Sequence, residues 1–298
     1  MEDSHISRTS GDENLNQNIF NHSDASNRTD NRYMNEFSLV VNWITVAIGF
    51  PLTLAALWAV LIMVKNDHGA PVYIFNLLLS DVIQYCSRIT MKTQNNSVFA
   101  SFALSFGLAA SIGFMMCVSL ERYLVVAKPL WYRFRRNIQT SVLVCVAVWI
   151  FSLSFTLSIY LFLKYQMRVI IQAAGLLLPL LLFIFCLVGT IKALSEARSV
   201  SAEEKRLIVS ILVVVLLIYV LLFLPFIMYF LLVKPWENVA FFTVGEIGLF
   251  LSPLADSALY IFLRKTEFNQ LGASLCCCVT SQNQEISSTD DINMSAFH

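Results

Sequence analysis

The chain has 298 residues, 57% of them hydrophobic and 13% charged, and its formal net charge is zero. A soluble domain of this length has nowhere to hide so much apolar surface, whereas a lipid bilayer accepts it. The neutral balance gives no basis for a nucleic-acid partner or an acidic substrate.

Residues 1–37 are rich in Asn, Asp and Ser and read as a disordered tail. Asn21-His22-Ser23 and Asn27-Arg28-Thr29 are glycosylation sequons, so Asn21 and Asn27 are sugar acceptors if the tail is extracellular. The tail contains no apolar segment of the kind a cleavable signal peptide needs. The first apolar run is therefore expected to act as its own insertion signal.

Seven apolar runs follow, at about 38–64, 71–91, 98–126, 138–163, 169–194, 207–233 and 239–263. Each is long enough to cross ~30 Å of hydrocarbon as a helix rising ~1.5 Å per residue. Lipid offers no hydrogen-bond partners to a backbone, which leaves helices as the spanning form. The alternating ten-residue segments of a membrane barrel are absent. The sequence thus predicts an all-α membrane protein: a seven-transmembrane helix bundle over 38–263 with a short amphipathic eighth helix after it. Phe262 at the end of the seventh span, with Phe268 and Leu271 of residues 264–278, forms a short apolar stripe. Cys276, Cys277 and Cys278 end the segment. Three adjacent cysteines without a nearby histidine suit palmitoylation beside a membrane better than tetrahedral zinc. Residues 279–298 read as a disordered cytoplasmic tail. Ser287-Ser288-Thr289-Asp290-Asp291 is either a phosphorylation patch or ordinary solvated chain.

Seven spans place the termini on opposite sides. Lys and Arg are concentrated in the loops that are cytoplasmic when the N-terminus is outside, most densely at Arg133, Arg135 and Arg136, so the expected orientation is N-out. Cys86, Cys117, Cys145 and Cys186 lie inside apolar runs, and no structural disulfide is expected. No internal repeat is visible.

Ionisable groups inside the spans are few, and each requires a reason. Asp81 lies mid-way along the second span and Asp256 in the inner half of the seventh. Ser111 lies mid-way along the third span, and Ser252 one turn before Asp256. Two acids and two hydroxyls suit a small cation such as sodium, and equally suit protonated acids held by hydrogen bonds or water. Glu121-Arg122-Tyr123, followed by Pro129-Leu130, marks the exit of the third span. Arg122 there is either an anchor neutralised by Glu121 or a switch that changes partners when helices move. Arg88 and Glu246 lie in the outer parts of the second and seventh spans. They form a structural pair, or an anionic ligand competes for Arg88. Phe99, Phe102, Phe106 and Phe230 suit a lipid-like ligand or plain packing. His5, His22, His68 and His298 are absent from the outer helix ends, which disfavours a histidine proton sensor. No paired His/Glu metal motif or Ser/His arrangement points to an enzyme.

Over about residues 38–278 the chain resembles the rhodopsin-like (class A) G protein-coupled receptors. The resemblance is carried by Asn76-Leu77-Leu78-Leu79-Ser80-Asp81, Glu121-Arg122-Tyr123 with Pro129-Leu130, Trp149, Pro179, Phe223-Leu224-Pro225 and Asp256-Ser257-Ala258-Leu259-Tyr260. Gly49-Phe50-Pro51-Leu52-Thr53 and the aspartate at 256 look like the branch of nucleotide, proton-sensing, lysolipid and protease-activated receptors. The resemblance implies an allosteric sodium pocket at Asp81, Ser111, Ser252 and Asp256. It implies a G protein contact at Arg122, a kink at Pro225 and an inward-swinging tyrosine at Tyr260. Phe223 stands where a tryptophan toggle is usual, with Tyr219 one turn below. Implied partners are a heterotrimeric G protein, arrestin, a receptor kinase and an extracellular ligand, lipid-like or anionic.

Departures from the pattern are several. Ser97 stands near the usual cysteine of the third span, and Lys164–Arg168 holds no cysteine to pair with it. That loop is very short. Thr53 replaces the asparagine of the first span, and Ser257 replaces the proline of the seventh, so the seventh helix is expected to be straighter. These changes also suit a receptor-fold partner or trafficking protein that no longer signals. A transporter would require charged groups along a continuous path, which the sequence lacks.

Overall fold

The structure, a computed structural model, describes residues 9–65, 72–94, 97–127, 138–196, 202–232 and 241–261. It is helical throughout these segments. In chain order the helices are α1 (Thr9–Lys65), α2 (Val72–Thr93), α3 (Val98–Ala127), α4 (Ile138–Phe162), α5 (Tyr165–Gly175), α6 (Leu177–Glu196), α7 (Ala202–Leu232) and α8 (Phe241–Ile261). Only Leu176 separates α5 from α6, and its N–H is shared between the carbonyls of Gln172 and Ala173. The two together form one span, which gives a bundle of seven. α1 begins at Thr9, inside the stretch expected to be a disordered tail, and continues through the first apolar run to Lys65.

Six of the seven spans are long and apolar enough to cross a bilayer by composition alone. α2 is the more polar one, with Asp81, Gln84, Ser87 and Arg88 all buried. Its position explains its composition: it packs against α1, α3 and α4, so its polar side chains meet protein rather than lipid. α4, by contrast, shows lipid Leu143, Phe151, Leu161 and Phe162, each more than two-thirds exposed.

The apolar core runs along the bundle axis through Leu77, Phe114, Phe183, Val215, Phe223 and Leu259. Small residues set how closely the helices approach. A Cβ on Gly107 of α3 would lie 2.9 Å from Gln84 Cγ and 3.1 Å from the Ser80 carbonyl oxygen. One on Gly248 of α8 would run into the Leu222 carbonyl of α7, three residues before Pro225. The third and second spans, and likewise the sixth and seventh, are thus in backbone contact where the polar groups lie.

The α4–α5 connection is Leu163-Lys164. Lys164–Arg168 was expected as a short loop, but helix α5 already begins at Tyr165. The Arg168 N–H bonds the Lys164 carbonyl at 3.0 Å, and its guanidinium lies 4.5 Å over the Tyr160 ring. Pairing of the cation with the ring and early helix start consume what would be a lid.

The eighth helix (264–278), Cys276 to Cys278, the loop with Pro129, Leu130 and Arg133 to Arg136, and the tail 279–298 lie outside the described residues. The side chains of Asn21, Asn27, Glu204, Lys205 and Phe230 do as well.

Candidate functional site

At mid-bundle, α2, α3 and α8 bring Asp81, Ser111 and Asp256 together, with Ser252 one turn before Asp256 on α8. Asp81 and Asp256 are fully buried, as is Ser111, and Ser252 is 1% exposed. Ser111 Oγ donates to Asp256 Oδ2 at 2.9 Å, and Gln84 Nε2 donates to Asp81 Oδ1 at 3.2 Å. Asp81 lies within hydrogen-bonding reach of both Ser111 and Asp256. Three oxygens remain buried with no hydrogen-bond partner: Asp81 Oδ2, Asp256 Oδ1 and Ser252 Oγ. A buried carboxyl pair of this kind holds a proton or a cation between its members. Hard oxygen donors converging without protein donors of their own also fit a small cation.

One turn beyond, Ser257 Oγ bonds Thr53 Oγ1 of α1 at 2.7 Å and the Pro253 carbonyl at 3.1 Å. A straighter seventh helix was expected from Ser257 alone, and Pro253 also lies in that span, one turn before Ser257, where it removes a helical N–H.

Toward the end of the bundle that carries the α2–α3 and α4–α5 connections, Arg88 is 3% exposed. Its Nε donates to Asn42 Oδ1 at 2.9 Å, Nη2 to Thr45 Oγ1 at 2.6 Å and Nη1 to the Phe250 carbonyl at 2.9 Å. Its guanidinium also lies 4.5 Å over the Phe250 ring. The expected partner, Glu246, instead accepts from Ser38 Oγ at 2.7 Å. No ion pair within 4.0 Å joins Arg88 to Glu246. Arg88 and Glu246 therefore face one space without being bonded to each other. That space is a cavity of about 450 Å³ lined by residues of all eight helices.

Phe102 and Phe106 do not line it, contrary to their reading as pocket residues. Phe102 packs edge-on against Tyr160 at 5.4 Å, and Phe106 packs on Trp149, also at 5.4 Å. The cause is helical phase: the cavity face of α3 is Ser101, Leu104, Ser105, Leu108 and Ile112, and residues 102 and 106 point to α4. Phe99 is 75% exposed at the start of α3.

Beneath the cavity, Phe223 of α7 is fully buried, with its ring 4.7 Å from that of Tyr219. Tyr219 packs edge-on against Phe183 at 5.0 Å, and its hydroxyl donates to the Leu176 carbonyl at 2.5 Å. That bond lands on the one residue that separates α5 from α6. Pro225 lies inside α7, two residues beyond Phe223.

At the opposite end, Glu121, Arg122 and Tyr123 occupy the last two turns of α3, all partly buried. Tyr123 packs edge-on against Phe185 of α6 at 5.5 Å, over Gly189, where a Cβ would lie 2.7 Å from its ring. Tyr260 of α8 is buried in the same apolar core as Val215 and Leu259. Trp149 Nε1 donates to Asn76 Oδ1 at 2.9 Å, which fixes α4 to α2.

Sequence reasoning missed Ser38, Asn42, Thr45, Gln84 and Pro253. A signal for the first three was present. Ser38, Asn42, Thr45, Gly49 and Thr53 recur every three or four residues through an otherwise apolar run, which marks one polar helix face.

Among known proteins, the model of the "7 transmembrane receptor (rhodopsin family)" matches residues 53–168. Human G-protein coupled receptor 68 is 24% identical over 80% of this chain and 77% of its own. Mouse proteinase-activated receptor 2 is 26% identical over 81% of this chain and 71% of its own. A Mas-related G-protein coupled receptor of the mouse is 28% identical over 74% of this chain and 80% of its own. The matched segment holds Thr53, Asp81, Arg88, Ser111 and Glu121-Arg122-Tyr123, and the longer matches extend the likeness over most of the bundle. The protein is a multi-pass membrane protein, similar over most of its length to seven transmembrane receptors of the rhodopsin family.

Proposed function

We propose that this chain is a plasma-membrane receptor, N-terminus outside and C-terminus in the cytoplasm, that passes an extracellular ligand signal to a heterotrimeric G protein. The observation that carries the reading is the alignment, along one bundle axis, of the ligand-sized cavity, Pro225 of α7 with the buried Tyr219–Phe223 stack beneath it, and Arg122 at the far end. A cavity of about 450 Å³ falls in the ~300–1,000 Å³ range of small-molecule sites.

The mechanism is a two-state equilibrium. A ligand that binds better to one packing of the helices shifts the population toward it, and a partner that binds the same packing at the other end is coupled to that shift. Pro225 removes a backbone donor from α7 and makes it the lever. Phe223 and Tyr219 sit between the cavity and that lever, so ligand contacts there bear on its position. Arg122, with Glu121 and Tyr123 beside it, is the G protein contact. Pro129 and Leu130, the basic loop after α3, and Tyr260 complete that face. Arrestin and a receptor kinase are partners of the same face.

Asp81, Ser111, Ser252 and Asp256 would hold a sodium ion in the inactive packing. Held there, it would offset the mutual repulsion of the two buried carboxylates. Asn21 and Asn27 carry sugars, and Cys276 to Cys278 carry palmitate, in keeping with this orientation.

The test is guanine-nucleotide exchange on purified G proteins by the chain in reconstituted membranes. Exchange above that of empty membranes supports the reading, and its absence with every G protein class contradicts it.

A further inference from the structure

The chemistry of the ligand is legible in the cavity. Its lining carries two cations, Arg88 and Lys92, and one acid, Glu246. Glu246 is close enough to feel the charge of Arg88, yet it is bonded to Ser38 and makes no ion pair with it. Arg88 is bonded only to neutral acceptors: an amide oxygen, a hydroxyl and a backbone carbonyl. A guanidinium has five N–H donors, and these bonds use three. A buried cation without a bonded carboxylate is costly unless an anion completes it. Beside it, Asn42 is 1% exposed and lines the cavity, and its Nδ2 has no hydrogen-bond partner. Unused donors of Arg88 and Asn42 therefore stand side by side at this end of the cavity. The rest of the wall is largely apolar, with Leu108, Ile112, Phe155, Leu176, Phe226 and Leu249.

We propose that this cavity binds an amphipathic anion, with a carboxylate or phosphate headgroup lodged against Arg88 and Asn42 and an apolar body lying along α3 and α4. Arg88 offers its unused N–H groups, Asn42 its free amide and Lys92 a second charge at the rim. The α4–α5 connection is only two residues long and supplies no loop to cover the cavity, which favours entry of an amphiphile from that side. The inference rests on the receptor reading and names the ligand class for it.

The experiment uses the purified full chain in discs of zwitterionic lipid and follows its thermal unfolding midpoint. The probes are dodecanoate, dodecyl phosphate, neutral dodecanol and inorganic phosphate. Saturable stabilisation is expected from one or both anionic amphiphiles, and little from dodecanol. The carboxylate and phosphate arms identify the headgroup. Stabilisation by inorganic phosphate alone, without the chain-bearing probes, would reject the apolar half of the site. Arg88→Gln should weaken the response at least tenfold in probe concentration, and Arg88→Lys by less. Ala109→Phe, which fills the cavity from α3 and leaves Arg88 in place, should also abolish it and guards against a misfolded Arg88→Gln. Equal stabilisation by dodecanol, or an unchanged response in Ala109→Phe, overturns the proposal. Nucleotide exchange in the same discs reads receptor activity separately. Exchange without anion binding rejects the ligand class alone, whereas anion binding without exchange upholds the site and rejects the signalling function.

Discussion

Thr53 of α1 and Ser257 of α8 share a 2.7 Å hydrogen bond between buried hydroxyls. Each is a departure from the family pattern at its own position, asparagine in the first span and proline in the seventh. The two departures meet. Replacing either one alone breaks this bond at a cost of ~1 kcal/mol, although Ser257 Oγ keeps its bond to the Pro253 carbonyl. Thr53→Val and Ser257→Ala should each lower the unfolding stability of the purified receptor by about that amount. The double variant should lose less than the sum, with a coupling of ~1 kcal/mol. Strictly additive losses would mean that the two hydroxyls do not interact.

A second prediction concerns Tyr219. Its hydroxyl holds the Leu176 carbonyl at the α5–α6 break, while its ring stacks on Phe183 and Phe223. Tyr219→Phe removes the bond and keeps the rings. We expect a stability loss of ~1 kcal/mol and raised basal nucleotide exchange, because α7 is then freer to move against α6. Unchanged stability and unchanged exchange would show that the bond restrains nothing.

Much of this arrangement was legible in the sequence. Run lengths gave the seven spans, and the scarcity of charge inside them singled out Asp81, Asp256 and Arg88. These are buried, and Asp81 and Asp256 lie together with Ser111. What failed was phase. Phe102 and Phe106 are as apolar and aromatic as any pocket residue, but only their position on the turn decides between cavity and α4, and all faces of α3 are similarly apolar. Partner choice was also hidden: Glu246 looked like the natural acceptor for Arg88, whereas Ser38, 208 residues away in the chain, holds it. Pro253 was overlooked because the motif around Asp256 drew attention to the missing proline at 257.

The carboxylate pair gives a third prediction. Sodium should reduce basal nucleotide exchange by the wild-type receptor, and Asp81→Asn should remove that dependence while leaving the bundle folded. The measurement is exchange rate against sodium concentration, with potassium as the ionic-strength control. A wild type indifferent to sodium would leave the pair as a proton-sharing structural element.

Close packing gives a fourth. Gly248 has no room for a Cβ against the Leu222 carbonyl. Gly248→Ala should force α7 and α8 apart and cost ~1–3 kcal/mol of stability. Unaltered unfolding in lipid discs would show that the two helices approach less closely than described.

Arg122, at the last turns of α3, is the contact through which the bundle is proposed to act on a G protein, and the signalling function stands or falls with it. The most direct measurement compares nucleotide exchange by wild type and Arg122→Ala, reconstituted at equal surface density with the same G protein. Robust exchange is expected of the wild type, with at least a tenfold loss in the variant at unchanged stability. Equal exchange by the two proteins would contradict that role.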